Sequence, residues 1–261
     1  MTQLTIGVLG GTGHTGAATA AELRRRGHRV IVLARNPPRG GRRVDVTTGI
    51  GLAPAMVGLD ALVETLNGNA SVHVEGTERA LAAARAARVG HVVSLSAAGA
   101  GRIPVEYHRV KARQEEVVRE SGVPFSIVRA AQFHSLLDLV FATTTRKRLL
   151  PLLRVPIQPV DGDEVAAHLA DRVEAGPTGA ATAFAGPRIE RTDLLARDWA
   201  AARGAHALKV RVPGFLPVVR ETRAGALLYP EATLGRVTFA QWLARGAAPP
   251  RAVAGPQAVA A

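Results

Sequence analysis

The apolar residues of the first half fall in short runs with few interruptions. Residues 4–9 (LTIGVL), 29–34 (RVIVLA), 91–95 (HVVSL) and 125–129 (FSIVR) predict strands, as do the shorter pieces at 43–46 and 60–65. Runs without polar alternation suit strands covered on both faces. Between them, 17–26, 74–87 and 105–121 have helical composition. The first of these stops at Gly27, and the last stops at Gly122 with Pro124 just beyond, where a helix can go no further. Strands alternating with helices make βαβ units, hence a doubly wound parallel sheet of the α/β class. Ligands of such sheets sit at the carboxyl ends of the strands.

After about residue 145 the rhythm loosens and prolines become frequent, although 163–175 and 191–203 still read as helices. Residues 1–150 are therefore expected to form a nucleotide-binding unit. Residues 151–246 would add a sheet edge and a small substrate-facing part of the same compact body. The Pro/Ala-rich stretch 247–261 lacks periodicity and is expected to be a flexible tail. No internal repeat is visible.

Composition removes several function classes. The chain has no cysteine, so disulfides, zinc-thiolate sites and cysteine nucleophiles are excluded. No apolar run reaches the roughly 18–20 residues that cross a bilayer. The start, MTQLTIGVLGG, enters a strand without a basic segment, so no signal peptide is read and the cytoplasm is the expected compartment. The net charge of +12 raises the question of nucleic acid. Only Lys111, Lys147 and Lys209 are lysines, the arginines are spread out, and aromatics make up 4%, which leaves few stacking platforms. Neither nucleic acid nor a membrane is expected as a partner. Biased residue usage explains most of the charge, with part of the field free to attract a phosphorylated cofactor or an acidic substrate.

Candidate chemistry begins at Gly10-Gly11-Thr12-Gly13-His14-Thr15-Gly16. Gly10, Gly13 and Gly16 follow a predicted strand and open a predicted helix, the setting of a Rossmann-type dinucleotide site. Glycine allows the tight turn, and the helix N-terminus offers free N–H groups and a positive dipole end to a pyrophosphate. Thr12, His14 and Thr15 are placed to touch phosphate or ribose. An acid usually ends the second strand where NAD is bound. Here Ala34-Arg35-Asn36-Pro37 stands instead, so Arg35, with Asn36, is expected to hold a 2′-phosphate, and NADP(H) is the expected cofactor. Arg39, Arg42 and Arg43 either add to that field or are solvated. Asp45 and Val46 are expected near adenine. Thr65 and Leu66 are expected along the ribose path, and Ser94 is a further cofactor-facing candidate.

Tyr107 and Lys111 share a helix face at i, i+4. A neighbouring ammonium would lower the phenol pKa, and the lysine would also hold the nicotinamide ribose. Tyr107 would then give a proton to a carbonyl oxygen as hydride arrives. Ser96 is the candidate substrate-orienting hydroxyl, but Ala97 and Ala98 follow it, so either Ser96 or Ala97 occupies the active-site serine position. Gln132, Phe133 and His134 follow the 125–129 strand and are candidate substrate contacts, with His134 either an acid–base group or structural. Asp161, Asp163 and Glu164 suit a helix N-terminus better than a metal, and no metal site is expected. Phe215, Tyr229, Phe239 and Trp242 either line the pocket or pack the C-terminal part.

The segments GGTGHTG, ARNP, HVVSLSAAGA, YHRVKARQEEVVRESGVPFSIVRAAQF and QPVDGDEVA resemble the short-chain dehydrogenase/reductase superfamily, in its atypical NmrA-like, NAD(P)H-binding branch. The resemblance spans about residues 3–175, with a fainter echo at 225–243. It implies a Rossmann-like sheet, NADP(H), and a substrate cleft against the C-terminal part. The expected function is NADPH-dependent reduction of a carbonyl, quinone or enone of a small molecule. The alternatives are an NADP(H)-sensing regulator without turnover and, further off, an isomerase or epimerase. A homodimer is a possibility common in the superfamily.

Overall fold

The computed structural model describes residues 2–212 and 215–246; the expected tail lies outside them. In chain order the elements are β1 (Thr5–Leu9), α1 (His14–Arg25), β2 (Arg29–Ala34), β3 (Arg42–Arg43), α2 (Leu52–Met56), β4 (Ala61–Glu64), α3 (Ala70–His73), α4 (Glu75–Ala86), β5 (His91–Ala97), α5 (Glu106–Glu120) and β6 (Phe125–Ala130). There follow α6 (His134–Arg146), β7 (Leu149–Leu152), β8 (Pro156–Ile157), α7 (Gly162–Ala175), β9 (Ala181–Ala185), β10 (Glu190–Arg191), α8 (Thr192–Ala202), β11 (Leu208–Arg211), α9 (Pro217–Arg223), β12 (Thr233–Leu234) and α10 (Phe239–Ala244).

Eight strands form one sheet in the order β12-β9-β6-β5-β4-β1-β2-β3, and every pair in it is parallel. The order reverses at β1, which lies between β4 and β2, so a crevice opens above Leu9 and Glu64 at the carboxyl edge. The inner strands β1, β2, β4, β5 and β6 are largely buried on both faces, as their unbroken apolar runs require. Val8, Val32, Val63 and Val128 face α1 and α7. Leu9, Leu33, Leu62 and Ile127 face the opposite core with α2, α4 and α5.

The helix α6 is absent from the sequence expectation. It contributes Leu137 and Phe141 to a third core with Leu150, Leu195, Trp199, Phe239 and Trp242. The C-terminal layer therefore begins with α6, earlier than residue 151, and it is not confined to one side of a boundary. The chain returns to the main sheet at β9 and again at β12. Phe239 and Trp242 are core residues of this layer, stacked on each other with centroids 5.9 Å apart. No helix among the described residues is long and apolar enough to cross a membrane.

Candidate functional site

The turn after β1 is held by close approaches that only glycine permits. Gly10 has φ +79°, and a Cβ there would lie 2.8 Å from the Thr65 carbonyl oxygen. A Cβ on Gly16 would overlap the Gly10 carbonyl and come within 2.6 Å of Thr65 Oγ1. Thr65 Oγ1 in turn donates to the Leu9 carbonyl at 2.9 Å. Thr65, expected beside the ribose, thus wedges the start of α1 against the end of β4. Gly13 is the N-cap of α1, with extended backbone, no side-chain cap and no acid in the first turn. Thr12 and His14 are exposed beside it, and Thr15 is half-buried. The first-turn N–H groups and the dipole end therefore face the crevice without an internal anion, which fits a pyrophosphate.

Arg35 and Asn36 are exposed just past β2. Asp45 does not present a free carboxylate for adenine. It accepts from the Thr47 N–H at 2.9 Å and the Thr47 hydroxyl at 2.6 Å. These bonds, with a smaller pull from Arg35, hold its carboxyl below the usual range. Val46 is buried in the core on α4, against Gly76, and half-buried Leu66 packs on the same core. Arg42 caps the end of α2, donating to the Ala55 and Val57 carbonyls at 2.8 and 2.9 Å.

Beneath the edge lies a buried polar network that the sequence did not reveal. Glu64, 1% exposed, accepts from the Thr77 hydroxyl, from Ser94 Oγ at 2.6 Å and from Gln114 Nε2 at 3.0 Å. Gln114 Oε1 accepts from Lys111 Nζ at 2.8 Å, and Lys111 also donates to the Leu95 carbonyl at 3.1 Å. Ser94 is therefore bonded to a carboxylate inside the fold. Burial brings the Lys111 pKa down to about 8 against the pull of Glu64 and Glu115. Tyr107, in the first turn of α5, is pushed up to about 12 by burial. The expected lowering by Lys111 is not in place, because the ammonium is drawn to Gln114 and Leu95. Tyr107 instead sits edge-on to His73 and His108, with centroids 6.4 and 5.3 Å away.

Ser96 is equally engaged. Its hydroxyl donates to Glu115 Oε1 at 2.7 Å, and the same carboxylate binds Arg129 through two nitrogens and Arg119 through one. Alternation along β5 turns Ala97 to the other face, so the edge itself carries an alanine. Gln132 and Phe133 are half-buried past β6 and pair with Val160. His134 lies fully buried against the stacked pair Phe239 and Trp242, with centroids 5.6 and 6.0 Å away. Burial takes its pKa down to about 4. It is a neutral packing residue, which corrects its expected place among the substrate contacts. Among the described residues no cluster of three or more His, Cys, Asp or Glu could hold a metal.

The loop after β5 is fastened from afar. The Gly99 N–H donates to the Tyr229 hydroxyl at 3.2 Å, and Arg102 donates to the Leu228 and Gly225 carbonyls at 3.3 Å each. The Arg102 guanidinium lies 5.2 Å from the centre of the Tyr229 ring. The sequence offers Tyr229 only as a residue that lines the pocket or packs the C-terminal part, and nothing local ties it to Gly99, 130 residues earlier.

A family model described as NAD(P)H-binding matches residues 10–138, from the glycine turn into α6. A reductase of (4-alkanoyl-5-oxo-2,5-dihydrofuran-3-yl)methyl phosphate from Streptomyces griseus is 33% identical over 210 residues, covering 73% of this chain and 72% of the relative. An NADPH-dependent quinone oxidoreductase from Escherichia coli, solved with NADPH, shares 17% identity with a TM-score of 0.76, over 92% of this chain and 99% of that one. A short-chain dehydrogenase/reductase superfamily protein from Agrobacterium tumefaciens, solved with NAD, gives 21% and 0.70, over 92% and 95%. The glycine turn, the parallel sheet and these similarities together place the chain in the NAD(P)H-binding family, with the Rossmann-like fold of those solved structures.

Proposed function

We propose that the protein is an NADPH-dependent reductase of a small carbonyl-bearing molecule, and that a carbon–carbon double bond conjugated to that carbonyl suits its site best. Arg35, exposed beside the uncapped start of α1, carries the NADPH reading: its planar fork matches a 2′-phosphate, and no acid stands there to bind a ribose hydroxyl. The Streptomyces relative supports the substrate class, since its named substrate is an oxo-dihydrofuran bearing an alkanoyl group and a phosphate.

NADPH, when bound, supplies a hydride. The protein's part is to orient the substrate oxygen on which charge collects. Tyr107 stays protonated over the whole neutral range and so acts as a hydrogen-bond donor to that oxygen. Gln132 and Phe133, at the carboxyl edge of β6, bound the cleft on the other side. A donor that need not ionise suits conjugate reduction, where the proton reaches carbon from solvent.

A second reading is an NADP(H)-binding regulator without turnover. It is favoured by the engagement of the Ser94 and Ser96 hydroxyls with Glu64 and Glu115. The discriminating experiment follows NADPH absorbance with the purified protein and a panel of enones, quinones and ketones. Oxidation that falls in Tyr107→Phe supports the reductase. Tight NADPH binding with no oxidation across the panel selects the regulator.

A further inference from the structure

We propose a second anion site in the C-terminal layer, remote in sequence from the glycine turn and shaped for a phosphoryl group. Arg154, between β7 and β8, Arg197 on α8 and Arg211 at the end of β11 line a cavity of about 40 Å³ with Leu152 and Asp193. A single water needs about 10–15 Å³ by this kind of measure, so the space suits a group the size of a tetrahedral oxyanion.

The charges around the hollow do not balance. Asp193, 5% exposed, is its only carboxylate among the described residues, and Arg191 clamps it through two bonds of 3.0 and 2.7 Å. Arg154 Nε lies 3.6 Å from the same carboxylate. The Arg191 contacts hold the Asp193 carboxyl below the usual range, so it stays ionised. Among the described residues Arg197 and Arg211 have no carboxylate within 4 Å. One negative charge, already paired with Arg191, thus faces the three guanidinium groups that line the hollow, which repel one another until an anion enters. Arginine cannot shed its proton to relieve that repulsion, and its fork presents paired donors to two oxygens of one phosphate. Buried Leu152 gives the floor no polar alternative. These residues come from β7, β11, α8 and the β7–β8 link, none of which forms the cofactor turn. The site therefore stands whether or not the reductase reading holds.

The occupant is the phosphoryl end of a small organic phosphate or inorganic phosphate itself. The test titrates NADP+-saturated protein, its glycine turn filled, with inorganic phosphate and with phenyl phosphate in a calorimeter. One saturable site is expected, weakened at least tenfold in the double variant Arg197→Ala, Arg211→Ala. It should be unchanged within twofold in Arg85→Ala, Arg113→Ala, which removes the same charge from exposed positions elsewhere. Phenyl phosphate binding tenfold tighter identifies an organic phosphate, and equal affinity identifies the free ion. All four arginines are exposed, so thermal unfolding should match the parent and confirm folding. Absence of saturable binding for both probes, or equal weakening in the control pair, overturns the proposal.

Discussion

Ser96 Oγ and Glu115 Oε1 lie 2.7 Å apart, inside an ion-pair cluster closed by Arg119 and Arg129. The residue best placed in sequence to orient a substrate is a strut between β5 and α5. Ser96→Ala should lower stability by about 1–3 kcal/mol, the scale of a buried hydrogen bond to a charged group. Urea unfolding measures this, and NADPH oxidation per folded molecule should stay within twofold. A hundredfold loss of turnover at unchanged stability would return the serine to the chemistry.

Arg35 is expected to discriminate between cofactors. Arg35→Ala should weaken NADPH by roughly 10–100-fold, the scale of a lost charge-assisted contact, while NADH is unaffected. Fluorescence titration of both nucleotides reads this directly. Equal parental affinities would refute the assignment.

Gly16→Ala should injure binding and folding together. The added methyl meets the Gly10 carbonyl and Thr65 Oγ1, both fixed by the fold. Overpacking of this kind costs about 1–3 kcal/mol. NADPH affinity should fall at least tenfold, because the turn must open to make room.

His134 should make stability fall with acid. Its folded pKa of about 4 lies below the ordinary 6.5, so the unfolded chain binds the extra proton between those values. Stability is therefore full above about pH 6.5 and declines as pH drops towards 4, by about 3 kcal/mol at 1.36 kcal/mol per unit. His134→Leu should flatten that limb of the urea-midpoint profile. An identical profile in the variant would show that other groups carry the acid sensitivity.

Glu64 should be the costliest polar residue to truncate. Glu64→Ala removes one of the two carboxylates that attract buried Lys111 and unpairs Ser94, Thr77 and Gln114, so a loss of about 3–5 kcal/mol is expected from denaturant curves. Glu64→Gln, which keeps the shape, should lose less.

The sequence carried much of this architecture because local rules governed it. Strands such as 29–34 and 125–129 announce themselves by unbroken apolar runs, and the glycine turn by its position between a strand and a helix. What it hid depends on distance along the chain. Glu64 reads as the polar end of a strand, since its partners Thr77, Ser94 and Gln114 come from three other elements. α6 was missed because Gln132, Phe133 and His134 read as an edge with ligand-facing side chains. His134 becomes a core residue only through Phe239 and Trp242, more than 100 residues later. The spacing of Tyr107 and Lys111 puts them on one helix face, but the lysine's direction follows Gln114, one turn further on.

β9 and β12 bring the chain back to the main sheet after each excursion into the C-terminal layer. A lobe joined to its neighbour by one linker can swing on a hinge. This layer is tied back to the sheet at β9 and β12 as well, so it is not hung on a single linker. The short segments at the crevice rim are the parts held most lightly, such as the loop pinned by Tyr229 to Gly99. The kinetics of entry and release would be set by the breaking of a few hydrogen bonds rather than by rigid-body rotation of a domain.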